Sequence, residues 1–219
     1  TATAITSMIF SGLLERLPRK LREALIARLH RPPCADESLP AALLLPPFMI
    51  LGAAAEQLPK LVLLDRVIKE SMRILPSVPF TIRAATQDTM LNGFPVPQGT
   101  RVICSHYLTH HDPVLYTAPE QFRPERWLTI DPSPYEYVPF SAGPRMCIGV
   151  LFAVQALTIS LSRILQLFRV QTVAGTRVDT VVRVTMSPRH GLPMEIHRQD
   201  RQFKRSPVRG NIHRLVELH

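Results

Sequence analysis

No run of about 20 apolar residues occurs in this 219-residue chain, so no segment has the length a helix needs to cross a bilayer. The longest apolar stretch, 41–55, is broken by Pro46-Pro47, and no signal peptide is visible. Cysteine is scarce. Cys34, Cys104 and Cys147 are odd in number and far apart, which argues against a disulfide framework and against paired zinc-ligand spacing. A reducing cytoplasm is the expected location. Aromatic residues make up only 6% of the chain, and its formal charge of +9 is scattered, so the basic, aromatic-lined surface of a nucleic-acid binder is not expected. The densest positive group, Arg198, Arg201, Lys204, Arg205, Arg209 and Arg214, falls in 198–219 and reads as a solvated or disordered basic tail. No internal repeat is present.

What remains is a globular composition, 46% hydrophobic and 20% charged. Apolar periodicity predicts helices over 1–14, 19–29, 58–75 and 148–168, the last apolar nearly all round as in a buried element. Strands are predicted within 83–104, at 181–185 and at 194–197, with Asn92-Gly93 as a hairpin turn joining 83–86 to 100–104. Between 104 and 149 the chain reads as an irregular meander.

The segment Phe140-Ser141-Ala142-Gly143-Pro144-Arg145-Met146-Cys147-Ile148-Gly149 places one thiol on a glycine-flanked loop before the apolar helix. A helix N-terminus favours a thiolate. Gly143 and Gly149 suit a sharp turn or close approach to a flat ligand, and Arg145 offers a two-pronged donor for a carboxylate. Taken alone, Cys147 reads better as a small buried hydrophobe than as a ligand. Upstream, Glu70 and Arg73 share a helical face, an arrangement that by itself suits a solvated surface pair. His106 and His110 would be i and i+4 on a helix, the spacing of a zinc pair, in a context that does not favour one.

Together these residues resemble the cytochrome P-450 superfamily. The loop has every fixed position of F-x-x-G-x-R-x-C-x-G, Glu70 and Arg73 match E-x-x-R, and Pro124-Glu125-Arg126-Trp127 matches the P-E-R-W/F motif. The resemblance implies an α+β fold, mainly α, with small sheets and a cysteine-ligand loop before a long buried helix. Cys147 would be the axial ligand of haem b, with Arg145 and Arg83 on its propionates and Phe140 beside the sulfur. Glu70, Arg73 and Arg126 would form a structural triad. Val78, Pro79 and Phe80, and Leu192 in the segment 187–193, would contact a small organic substrate; for Val78, Pro79 and Phe80 a plain core role is as good a reading, as a surface role is for Arg83.

By the same resemblance the activity is insertion of one oxygen atom from dioxygen. Electrons would come from NAD(P)H through a ferredoxin or flavoprotein. A haem-binding or sensing protein without turnover is the alternative. The type expected is bacterial and soluble.

Departures exist. His110-His111-Asp112-Pro113 stands where the family often has H-R-D-P, Phe152-Ala153-Val154-Gln155-Ala156 lacks a usual glutamate, and 31–57 matches as an atypical insertion. The chain opens on Thr1-Ala2-Thr3-Ala4 in a helical pattern without a cap, which reads as a helix cut in its middle. A partial domain over 1–197 is therefore expected, about the C-terminal half of an enzyme and inactive alone, with Thr1 as the distal alcohol or the residue after it.

Overall fold

A computed structural model describes residues 61–200, 202 and 206–217. The expectations for Thr1, for the helices over 1–14 and 19–29 and for the insertion 31–57 lie outside the described residues. The described residues divide into two compact units, one holding those of 61–65, 148–176 and 191–208, the other holding 66–147, 177–190 and 209–217.

The second unit begins with most of helix α1, Val62–Ile74. Asp65 in its first turn and Arg73 in its last complement the helix dipole. Ile68, Glu70, Arg73 and Ile74 mark its buried face, and Pro76 ends it because proline cannot continue the hydrogen-bond ladder. Strand β1 (Phe80–Ala84) then pairs antiparallel with β4 (Arg101–Ser105), Phe80 opposite Ser105 and Ala84 opposite Arg101. Between them β2 (Thr89–Leu91) pairs with β3 (Phe94–Val96). Asn92-Gly93 thus turns this inner hairpin and does not join β1 to β4 directly, a correction to the predicted pairing. Both turn residues have positive φ, 48° and 83°, the geometry that Asn-Gly tolerates and that matches strand twist. Ser105 caps the short helix α2 (His106–His110), its hydroxyl accepting from the Leu108 N–H at 3.2 Å.

The meander that follows contains a 3-10 turn at Pro124–Leu128 and another at Gly143–Arg145. Later in the chain β6 (Thr180–Val182) and β7 (Met186–Pro188) form a hairpin, tied to the exit of α1 where the Met186 N–H donates to the Ser77 carbonyl at 2.8 Å. Residues 209–217 are no loose tail. Ile212 and Val216 are buried, Asn211–Arg214 form a 3-10 turn, and the Glu217 N–H donates to the Glu120 carbonyl at 2.9 Å. Charge alone suggested a solvated end; Ile212 and Val216 supply the apolar burial that fixes it.

In the first unit, helix α3 (Val150–Leu167) leads into β5 (Phe168–Thr172), which pairs with β8 (Met194–Arg198). The predicted full burial of α3 is corrected: among its described side chains only Thr158 and Ile159 are buried, while Leu151 and Leu165 are exposed. An apolar composition shows what a helix can bury, and not how much of it is covered.

Candidate functional site

Glu70 is the centre of a buried polar cluster. Its carboxylate accepts from Arg73 Nε and Nη2, Arg126 Nε and Trp127 Nε1, each at 3.0 Å, and from the Arg123 N–H at 2.9 Å. Glu70 and Arg73 are completely buried and Arg126 is 7% exposed, so this is no solvated surface pair. Burial alone would raise the Glu70 pKa; the Arg73 hydrogen bond, the Arg123 N–H and the two guanidinium charges outweigh it and hold the carboxylate below its ordinary value. The spare guanidinium N–H groups are satisfied by carbonyls. Arg73 donates to His110 O at 2.7 Å and Pro119 O at 2.8 Å, and Arg126 to Thr117 O at 2.8 Å. One helix and the meander are thereby bound to a single carboxylate.

His110 extends this cluster toward the cysteine loop. Its Nδ1 lies 3.1 Å from the Arg73 carbonyl and its Nε2 accepts from the Val138 N–H at 2.9 Å. That pattern requires the neutral tautomer with the proton on Nδ1. Both nitrogens are engaged, so His110 has none left for a metal; His106 likewise places Nδ1 3.0 Å from the Val78 carbonyl. The i, i+4 helical spacing is present, yet no cluster of metal-ligating side chains occurs among the described residues. Around His110 pack Tyr116, which is 1% exposed and lies under Arg73 at 5.3 Å, and Tyr137, which stacks on the imidazole at 5.5 Å and meets Trp127. Sequence reasoning missed His110, Tyr116 and Tyr137 as parts of this cluster; the signal available was His110 heading the segment that departs from H-R-D-P.

Burial, aided by the nearby Arg73 charge, pushes the His110 pKa from 6.5 down to about 4 despite its hydrogen bond to the Arg73 carbonyl. The folded state therefore binds this proton less readily than the unfolded state. Stability from this group is fully present above pH 6.5 and is expected to fall as pH drops toward about 4, by up to ~1.4 kcal/mol per pH unit. His106 and His111, also shifted down, contribute in the same direction. Denaturation midpoints measured across this range should flatten in His110→Phe, which also loses stability at every pH. An unchanged slope would exclude His110 from the acid response.

Val138 carries the tether into the loop, where the Ser141 N–H donates to its carbonyl at 3.1 Å and the Cys147 N–H donates to Phe140 O at 3.0 Å. Ser141 and Gly143 both have positive φ, 65° and 68°, so the tight turn expected at Gly143 is present. Gly149, with φ −89°, caps α3 in a conformation open to any residue. Cys147 is half-buried and has no disulfide partner. Phe140 is half-buried, and Arg145 is exposed with no side-chain hydrogen bond among the described residues.

The remaining expected positions are more dispersed. Arg83 is exposed near the end of β1, where it does not open the strand, and it donates to the carbonyl of its neighbour Ile82 at 3.0 Å. Pro79 is buried and reads as packing, Val78 is half-buried and Phe80 exposed. Of residues 187–193, Ser187 and Pro188 lie in β7, and the β6–β7 turn is Arg183-Val184-Thr185, with Val184 84% exposed. Leu192 belongs to the other unit, in the connection to β8.

Residues 52–193 match the family model described as Cytochrome P450. Cytochrome P450 4V2 of Mus musculus is 46% identical over 120 residues, 53% of this chain and 23% of that protein. Cytochrome P450 4V2 of Pongo abelii is 38% identical over 152 residues, 68% of this chain and 29% of that protein. A solved structure titled "Retinoic acid bound cyanobacterial CYP120A1" superposes with a TM-score of 0.60 at 28% identity, covering 87% of this chain and 40% of that one. These relatives are animal and cyanobacterial, so they do not single out a bacterial type. This chain spans about a quarter of the length of the two animal proteins. With more than half of it matched by one family model, and the cluster and loop above in the matched part, the chain belongs to the cytochrome P450 family.

Proposed function

We propose that the protein is a haem b-dependent monooxygenase with Cys147 as the axial thiolate ligand. The observation that carries this reading is an unpaired thiol on a loop whose base is tethered, through Val138 and His110, to the buried Glu70 cluster. Such a ligand needs a fixed position, because a loop free to drift would present the sulfur at varying distance and angle. The donor set fits the group: a thiolate suits iron, the positive φ at Gly143 keeps the loop backbone tight, and the unengaged Arg145 guanidinium matches a propionate. Arg83 is the second propionate donor in this reading, and Phe140 the aromatic neighbour of the sulfur.

Haem, when bound, supplies dioxygen activation: one oxygen atom enters the C–H bond of an organic substrate and the other leaves as water, consuming two electrons and two protons. Those electrons come ultimately from NAD(P)H through a ferredoxin or flavoprotein. Val78 and Phe80, being uncovered at least in part, are the proposed substrate contacts, while Pro79 supports them by packing. A reducing cytoplasm belongs to the same proposal, since it keeps Cys147 reduced. No helix of the described residues is long and apolar enough to cross a membrane.

The test uses the full-length protein reconstituted with haem, a reductase system and a panel of organic compounds under isotopically labelled dioxygen. Product carrying one labelled oxygen atom, at the expense of NAD(P)H, is the expected result. Stoichiometric haem with no labelled product across the panel would favour the haem-binding or sensing reading.

A further inference from the structure

An open cleft of about 700 Å³ lies on the second unit, lined by Arg177, Asp179, Arg189, His190, Asn211 and Arg214. Three separate stretches meet there: the approach to β6, the residues after β7, and the docked 209–217 segment. Their backbones are fixed to one another. The Arg189 N–H donates to Asp179 O at 2.6 Å, the Val178 N–H to Arg209 O at 2.7 Å, and the Thr180 N–H to Asn211 Oδ1 at 2.7 Å. Gly210, which also lines the cleft, has φ +111°, and a Cβ there would stand 2.5 Å from Val178 O, so the segment fits this closely only because glycine is present. The cleft is therefore preformed.

Its charges do not balance. Asp179 is the lone carboxylate in the lining, and both its oxygens are committed, Oδ1 to the Asn211 N–H at 2.8 Å and Oδ2 to Arg177 Nε at 2.5 Å. Arg189 and Arg214, both exposed, make no side-chain hydrogen bond or ion pair among the described residues. Two guanidiniums thus line a polar concavity whose one carboxylate is already engaged by other groups. Their planar, forked N–H groups suit phosphate oxygens better than any apolar compound. The size falls in the range of a small-ligand site, but a wall this polar does not suit an apolar organic substrate.

We propose that this cleft binds a phosphate-bearing anion, held by Arg189 and Arg214 with Arg177 in support. The phosphate could be that of a free ester or of a lipid headgroup. Because Arg214 sits on the docked segment and Arg189 beside β7, an anion bridging them fastens 209–217 to the body of the unit.

Calorimetric titration of the full-length protein with inorganic pyrophosphate should give saturable binding that weakens with salt. In the double variant Arg189→Ala/Arg214→Ala, affinity should drop by at least about tenfold, as expected when both unengaged guanidiniums are removed. Circular dichroism should be unchanged in that variant, since both side chains are exposed and make no hydrogen bond or ion pair among the described residues. Vesicles of phosphatidylcholine with phosphatidylserine, compared with phosphatidylcholine alone, separate the two sources. Binding to the mixed vesicles that pyrophosphate displaces assigns a headgroup; pyrophosphate binding without vesicle binding assigns a free ester. Absence of saturable pyrophosphate binding, or equal binding by the folded double variant, overturns the site.

Discussion

Cys147→Ser should eliminate the strongly red-shifted Soret band that a thiolate-bound ferrous haem shows with carbon monoxide, while the protein stays folded. A serine hydroxyl is a harder and far weaker donor, and it is not ionised near neutral pH, so electron donation to the iron is lost. The loop itself should survive. The contact that closes it at this position is a backbone one, from the Cys147 N–H to Phe140 O at 3.0 Å, and serine retains it. Gly143, Val138 and His110 are untouched by the change. With haem removed from both, the variant should therefore match the parent in circular dichroism and in denaturation midpoint within about 0.5 kcal/mol, the usual range for a substitution that removes no packed group. An unchanged carbon monoxide spectrum would move the ligand elsewhere. The other described thiol, Cys104, is exposed on β4 and would be the next position to test.

The parts of the site that could be read from the sequence are those where chemistry fixes a residue type at a fixed local spacing. Cys147 with Gly143 and Arg145 is such a case, and so is Glu70 with Arg73 one helical turn on. Arg126 was found because it lies in a compact motif of its own. His110, Tyr116 and Tyr137 were not legible, since their roles depend on partners 20 to 68 positions away: Glu136 for the Tyr116 hydroxyl, Val138 for His110, and Lys69 for the Tyr137 hydroxyl. Local pattern carries no record of such contacts. The same limit explains the hairpin. Asn92-Gly93 does specify a turn, but only the register shows that β2 and β3 intervene between β1 and β4. For 209–217, net charge concealed Ile212 and Val216, two buried residues among many exposed ones. In α3, by contrast, apolar residues all round gave no information on which of them have neighbours.

Glu70→Gln should have the opposite signature to Cys147→Ser: loss of folded protein, with little effect per haem retained. The substitution keeps the shape of the side chain and removes its charge. Two buried guanidiniums would then face an amide, and the amide NH₂ would point a donor at one of the five N–H groups that now converge on the carboxylate. Breaking a buried ion pair by removing one partner costs about 3–5 kcal/mol. Against a total stability on the order of 5–15 kcal/mol, that is a large share of what holds a domain together. Carbonyls of His110, Pro119 and Thr117 would also lose well-placed donors as Arg73 and Arg126 shift away from the neutral amide. Since the Arg73 carbonyl is the His110 Nδ1 contact, the disturbance reaches Val138 and the loop that carries Cys147. Haem content should fall with the yield of folded protein. Glu125→Gln is the matched control, an exposed carboxylate in the same motif, and should change stability by less than about 0.5 kcal/mol. The measurements are denaturation midpoint, haem per folded protein and product per haem for the parent and both variants. A Glu70→Gln protein with the parent's midpoint and haem content would show that the cluster does not hold the loop. One that folds and binds haem normally but fails in turnover would give Glu70 a catalytic role that its burial among cations argues against.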